Sequence, residues 1–148
     1  MIELKLNRYA KKVDNFLLNF LKRQSKSLLV SPMKYGAISG GKKIRSTIIF
    51  DTGKIFGLKE KKLLNICAAV ECIHSYSLIH DDLPCMDDDD IRRGKPSAHI
   101  KFGEATAVLA GNSLLTLAFE IISDKKNLLT LKQKNEIISL LSNCAGHT

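Results

Sequence analysis

The sequence predicts an all-α protein, a helical bundle, on three observations. Apolar residues recur at three- and four-residue spacing through several long segments. The long, mostly apolar segment from Lys59 to about Leu83 shows little two-residue alternation, and no two segments read as a convincing pair of strands. No repeat or low-complexity tract interrupts the pattern. With 148 residues, 45% of them hydrophobic, the chain is long enough to bury a core as one domain.

The first element is an amphipathic helix from about Glu3 to Arg23, with Leu6, Tyr9, Ala10, Val13, Phe16, Leu17, Phe20 and Leu21 on one face. Lys5, Arg8, Lys12 and Lys22 mark the other face, which suits a solvated basic surface over a packed core better than a membrane-surface helix. Residues 24–31, Pro32 and the 36–41 region read as a connection, because proline and glycine cluster there. A second helix is expected from near Gly41 through Ile44, Ile48, Ile49 and Ile55, stopping at Gly57, a residue type that ends helices well. A third runs from Lys59 to about Leu83 through Leu63, Leu64, Cys67, Ala68, Val70, Ile73 and Leu78, and Pro84 breaks it. Arg92 to Ala98 reads as a loop, and two more helices follow over Glu104 to about Ile122 and Leu131 to Cys144. Long helices that are apolar around much of their circumference fit a bundle with room for a ligand inside.

Composition narrows the function classes. No run of eighteen apolar residues is present, and Met1 to Lys12 lacks the basic, apolar, small order of a secretory signal, so the reading is a cytoplasmic protein with no membrane insertion. Cys67, Cys72, Cys85 and Cys144 form no Cys-x-x-Cys pair and no zinc-finger spacing. The net charge of +8 is uneven, because six of the fifteen acidic residues (Asp81, Asp82, Asp87, Asp88, Asp89 and Asp90) fall within ten positions. A basic chain with one acidic focus suggests either polyanion binding around a metal or simply a solvated surface with one acidic loop.

Asp81 and Asp82 stand where the third helix ends. Carboxylates are unfavourable at that end of the helix dipole, by about 0.3–1 kcal/mol each, so a nearby cation is expected. Mg²⁺ takes hard oxygen ligands from one or two carboxylates together with phosphate oxygens and water. The break at Pro84 lets Asp87 turn back toward Asp81, which an unbroken helix would prevent at six-residue spacing. An EF-hand is a poor alternative, since the segment lacks its alternating ligands, central glycine and final glutamate. A solvated acidic turn would leave the following Arg92, Arg93 and Lys95 unexplained.

Upstream, Lys42 and Arg45 are three apart, so on a helix they project from one face just after Gly40 and Gly41, an arrangement able to hold an anion at a helix start. Ordinary surface lysines at a helix start give a similar string, and the Walker A spacing is absent. His74 lies two turns before Asp81, roughly 10 Å away along the axis. That span suits a diphosphate, although a lone histidine on a buried helix is commonly a core residue.

Taken together, Gly40-Gly41-Lys42-Lys43-Ile44-Arg45 and Asp81-Asp82-Leu83-Pro84-Cys85-Met86-Asp87, followed by Arg92-Arg93-Gly94-Lys95-Pro96, resemble the isoprenyl (polyprenyl) diphosphate synthase family in its bacterial farnesyl type. The resemblance runs from about Tyr35 to Asn143. It implies an all-α bundle of the isoprenoid synthase type, of which residues 1–148 are the N-terminal, truncated part of a single domain. It implies a prenyltransferase that condenses isopentenyl diphosphate with an allylic diphosphate (dimethylallyl or geranyl) to give farnesyl diphosphate.

By position, the resemblance makes Asp81 and Asp87 the catalytic Mg²⁺ ligands, with Asp82 a supporting ligand. It gives Arg92 the allylic diphosphate, and Lys42, Arg45, His74 and Arg93 isopentenyl diphosphate. Tyr76 and Ser77 fall where the product-length pocket is floored, and a homodimer is implied. Lys43 and Ser46 depart from the family's usual Arg and Pro. The family's second aspartate-rich motif lies in its C-terminal half and is not among these 148 residues, so catalysis by them alone is not expected.

Two other classes stay open. A non-catalytic subunit of a heteromeric prenyl synthase fits the missing second motif but not the intact first one. A basic helical nucleic-acid-binding domain fits the net charge, but six clustered aspartates and few aromatics count against it. A terpene cyclase shares the metal chemistry, and the Gly-Gly-Lys-Lys-Ile-Arg segment, suited to a second diphosphate, favours chain elongation.

Overall fold

The computed structural model describes residues 2–24, 27–38 and 40–146, and among these the chain is a bundle of helices with one short β-ribbon. The helices are α1 (Ile2–Leu21), α2 (Val30–Ala37), α3 (Ile44–Ile55), α4 (Glu60–Asp81), α5 (Ala98–Phe102), α6 (Glu104–Ser123) and α7 (Leu131–Cys144); the ribbon is β1 (Ile91–Arg92) and β2 (Lys95–Pro96).

The amphipathic pattern of α1 is borne out: Tyr9, Ala10, Val13, Leu17, Phe20 and Leu21 are buried, and the Tyr9 ring stacks on Phe50 of α3 with centroids 4.5 Å apart. At the bundle's centre α4 packs along α6. Small residues allow the close approach. Gly111 of α6 faces the His80 ring so closely that a Cβ would collide with it, and His80 Nε2 lies 3.1 Å from Val108 O. By length and composition α6 alone among the described helices is long and apolar enough to cross a membrane. Here it is the core helix, burying Ala107, Ala110, Leu114, Leu117, Ala118, Ile121 and Ile122.

The last helix has the predicted bounds, and the reason is local. Thr130 accepts from the Gln133 amide while the Gln133 side chain accepts from Thr130 N, a complete capping box.

Four expectations need correction. Residues 30–37 form α2 where a connection was expected. Pro32 is in its first turn, where a missing N–H costs nothing, and Gly36 lets Ile79 of α4 pack against its backbone. The rest of the expected connection includes residues 25, 26 and 39, which lie outside the described residues. The helix expected from Gly41 starts at Ile44, after Gly40, Gly41 and Lys43 all take positive φ. The loop over Arg92 to Ala98 contains the ribbon, with Ile91 opposite Pro96 and Arg92 opposite Lys95. It also leads into the short helix α5.

Candidate functional site

The acidic segment is a folded loop built on the end of α4. Helix ends leave carbonyls without partners, and here the chain turns back to supply amides to them. Asp87 N donates to Asp81 O at 2.8 Å, Met86 N and Asp88 N donate to Leu83 O at 2.8 and 3.1 Å, and Asp89 N donates to Asp82 O at 3.2 Å. Asp88 adopts a left-handed φ of 55° to make the turn. The break at Pro84 thus brings Asp87 back to Asp81, as the spacing predicts. Asp81 is half-buried and Asp87 exposed, and neither carboxylate has a hydrogen bond or ion pair among the described residues.

Asp82 behaves differently from its neighbours. It is 2% exposed, and both its oxygens accept from Arg92 Nε at 2.7 Å, with Arg92 Nη2 alongside. The cation expected at this helix end is therefore, for Asp82, an arginine ten residues on. Both Asp82 oxygens, which the sequence reading gives to a supporting metal contact, are here engaged by Arg92. The carboxylate in turn pushes the Arg92 guanidinium above its ordinary value.

Arg92 is held there by the ribbon's turn. Arg93 and Gly94 have φ of 54° and 72°, the two positive values that a two-residue type I′ hairpin requires. Glycine adopts such a φ freely, whereas Arg93 does so at a cost of about 1 kcal/mol. The ribbon is tied to the bundle by Tyr35 Oη donating to Pro96 O at 2.7 Å, and Ser97 N closes its base by donating to Asp90 O at 2.8 Å. A cavity of about 30 Å³, the size for ordered water, lies beneath it, bordered by Tyr35, Ser75, Ile79, Asp82, Arg92 and Ser97.

Arg93 reaches the other motif. Its Nη1 donates to Gly40 O, and a Cβ on Gly41 would sit 2.7 Å from that same nitrogen. Gly41 thus makes room for the Arg93 guanidinium, which holds the Gly40 carbonyl. Lys42 precedes α3 and so does not share a helix face with Arg45, another correction; both side chains are exposed. Lys43 turns inward. Its Nζ donates to Ala37 O at 2.9 Å and lies 3.2 Å from Asp14 Oδ1. Burial raises the Asp14 carboxyl, and Lys43 offsets part of that rise.

His74 faces these cations. It is half-buried, and burial lowers its pKa, with Arg45, Arg93 and Lys43 pushing the same way and Glu71 opposing them. These influences together favour the neutral ring. Two residues on, the Tyr76 ring meets His80 edge-on at 4.7 Å, and Ser77 Oγ donates to His74 O at 3.0 Å. Both are half-buried on α4.

The site thus gathers Asp81, Asp87, Arg92 and Arg93 through the loop and ribbon, and Arg45 and Arg93 through His74. Among the described residues no three His, Cys, Asp or Glu side chains converge into a closed metal centre. Two carboxylates without an ion pair among the described residues, one of which, Asp81, acts on Arg92, fit instead an open site, the kind that leaves further positions to water and phosphate oxygens as Mg²⁺ prefers. Sequence reasoning missed Glu71, Ser46 and Asp14. The one available signal was a glutamate isolated in the apolar stretch of α4.

A model of the polyprenyl synthetase family matches residues 26–148. The farnesyl diphosphate synthase of Escherichia coli (strain K12) is 59% identical over 96 residues, 65% of this chain and 32% of that protein. The farnesyl diphosphate synthase of Bacillus subtilis (strain 168) is 43% identical over 146 residues, 98% of this chain and 46% of that protein. Among solved structures, an FPP/GFPP synthase from Zymomonas mobilis matches with a TM-score of 0.89 at 40% identity, covering 95% of this chain and 51% of that one. A geranyltransferase from Legionella pneumophila matches with a TM-score of 0.90 at 38% identity, covering 95% and 50%. The chain spans about half the length of the relatives it matches most fully. With the family model covering most of its residues and solved relatives sharing its helix arrangement, the chain belongs to the polyprenyl synthetase family.

Proposed function

We propose that this chain supplies the diphosphate- and metal-binding half of a Mg²⁺-dependent prenyltransferase that joins isopentenyl diphosphate to an allylic diphosphate, giving farnesyl diphosphate. The observation that carries the reading is that Asp81 and Asp87, which have no hydrogen bond or ion pair among the described residues, stand on the loop that leads into an arginine ribbon touching the Gly40-Gly41 turn. One side of that ribbon suits a metal-bound diphosphate, and the other a second diphosphate held without metal.

On this reading Asp81 and Asp87 hold Mg²⁺, which when bound neutralises negative charge gathering on the departing diphosphate. Arg92, fixed in place by Asp82, adds a preorganised positive charge at the same end, the arrangement that lowers a barrier most. Lys42, Arg45 and Arg93 bind the diphosphate of isopentenyl diphosphate, and His74 offers it a ring N–H. The allylic C–O bond breaks with its electron pair leaving on the diphosphate, the isopentenyl double bond attacks the allylic cation, and a proton is lost. Apolar faces of α4 and α6 keep water from the cation, and Tyr76 and Ser77 bound the space for the growing chain. A cytoplasmic homodimer is part of the proposal; α7 buries no residue, and Val108, Leu109 and Leu140 are exposed, which supports further association.

Calorimetry of an allylic diphosphate with and without Mg²⁺ tests this, comparing the chain with an Asp81→Ala, Asp87→Ala variant. Binding that requires both metal and aspartates is expected. Equal binding by both proteins, or none by either, would sink the half-site and return weight to a non-catalytic subunit.

A further inference from the structure

Glu71 lies in the middle of α4 with 3% of its surface exposed, the only acidic residue between Glu60 and Asp81. Its Oε1 accepts two hydrogen bonds from α3, from Ser46 N at 3.1 Å and from Ser46 Oγ at 2.8 Å. Ser46 is the third residue of α3, so its amide is one of the four that a helix start leaves without an intrahelical partner. Such an amide is ordinarily taken by the side chain of the residue at the N-cap. Here that residue, Lys43, has no oxygen to offer, makes no cap bond, and sends its side chain to Ala37 and Asp14. Glu71 therefore caps α3 from a different helix, and an acid at this end also suits the helix dipole.

The cap sits between the groups assigned to the second diphosphate. Arg45 is the neighbour of Ser46, His74 is one turn past Glu71 on α4, and Arg45, Arg93, Lys43 and Glu71 all act on the His74 ring. We infer that Glu71 is a positioning residue: through Ser46 it fixes the first turn of α3 against α4, and so sets Arg45 relative to His74. An uncapped first turn frays, and fraying carries Arg45 with it. The role assigned to Arg45 rests on the diphosphate reading above, whereas the cap does not.

The test uses the whole chain as wild type, Glu71→Ala, Glu71→Gln, Ser46→Ala, Arg45→Ala and Glu71→Ala with Arg45→Ala. Two quantities are measured: hydrogen exchange of the residue-46 amide by NMR, and the Kd for inorganic pyrophosphate by calorimetry. Glu71→Ala should speed exchange at residue 46 about tenfold or more while leaving the centre of α6 unchanged, and should weaken pyrophosphate about tenfold. Glutamine keeps an oxygen that accepts both bonds, so it should restore both quantities to within about threefold. In the Arg45→Ala background, removing Glu71 should alter pyrophosphate binding by less than about twofold, because the two act as one unit.

Unchanged exchange at residue 46, no rescue by glutamine, or additive losses would each overturn the inference, the last leaving Glu71 a general stabiliser. Should Glu71→Ala fail to fold, Ser46→Ala, which removes only the hydroxyl bond, carries the test with about threefold effects in the same direction. Absence of pyrophosphate binding by the wild type would refute the diphosphate reading alone, and exchange at residue 46 would still decide whether Glu71 holds α3.

Discussion

Replacing Arg92 by alanine strips Asp82 of the cation that occupies both its oxygens and leaves a carboxylate inside the protein without a partner. With charge centres about 4 Å apart and an effective dielectric near 20, the attraction lost is about 4 kcal/mol. Removing one partner of a buried pair typically costs about 3–5 kcal/mol, because the other charge stays desolvated. The Arg92 side chain is itself 32% exposed, which places the expected loss at the lower end, about 3 kcal/mol. Asp82→Asn should cost less, about 1–2 kcal/mol, since Arg92 can then turn to water. The double variant should fall short of the sum by about 2 kcal/mol. Urea unfolding followed by circular dichroism at pH 7 measures all three. A loss below about 0.5 kcal/mol for Arg92→Ala, or an additive cycle, would refute the pairing as the anchor of the ribbon.

Glu60 gathers Arg8, Lys12 and Lys54, and hydrogen bonds from Lys12 first and Lys54 second hold its pKa down at about 2, against 4.5 unperturbed. A depressed carboxyl contributes stability that is fully present above about pH 4.5 and lost as pH falls toward about 2. Glu60→Gln should remove that pH dependence and cost about 1 kcal/mol at pH 7, as expected of a partly exposed network, and urea midpoints at pH 7, 4 and 2.5 would show it. Burial pushes the Cys67 and Cys72 thiols up to about 12, while Cys85 and Cys144 are exposed. A chromogenic disulfide reagent at pH 8 should therefore modify Cys85 and Cys144 quickly and the other two only on unfolding; fast reaction at all four would contradict the buried placement.

Where local rules act alone, the sequence was legible. The capping box at Thr130 and the apolar face of α1 fix α7 and α1 almost to the residue. Elsewhere tertiary contacts reassign local signals. Pro32 and Gly36 look like breakers, yet one occupies a first turn and the other gives Ile79 its packing space. The ribbon has two-residue strands, too short for any periodicity, and its only local mark is a glycine after Arg93. At the site, the return of Asp87 to Asp81 was readable from the proline break. That Arg92 would take Asp82, or Arg93 the Gly40 carbonyl, was not, because pairing across ten or fifty residues has no local signature. Glu71 was visible as a charge in an apolar stretch, but its partner Ser46 was not.

The loop after α4 has a thermodynamic consequence. Its backbone is closed on itself by amides from Met86 to Asp89 and by Ser97, all bonded to carbonyls of residues 81–90. Restricting a backbone residue costs about 1–2 kcal/mol in conformational entropy. For this stretch that loss falls within folding and is offset there by hydrogen bonds, before any cation or diphosphate arrives. On the proposed function, a ligand at Asp81 and Asp87 would meet carboxylates on a fixed backbone, so little of its binding energy would be spent on ordering the chain, and an entropy change on metal binding would report mainly on released water.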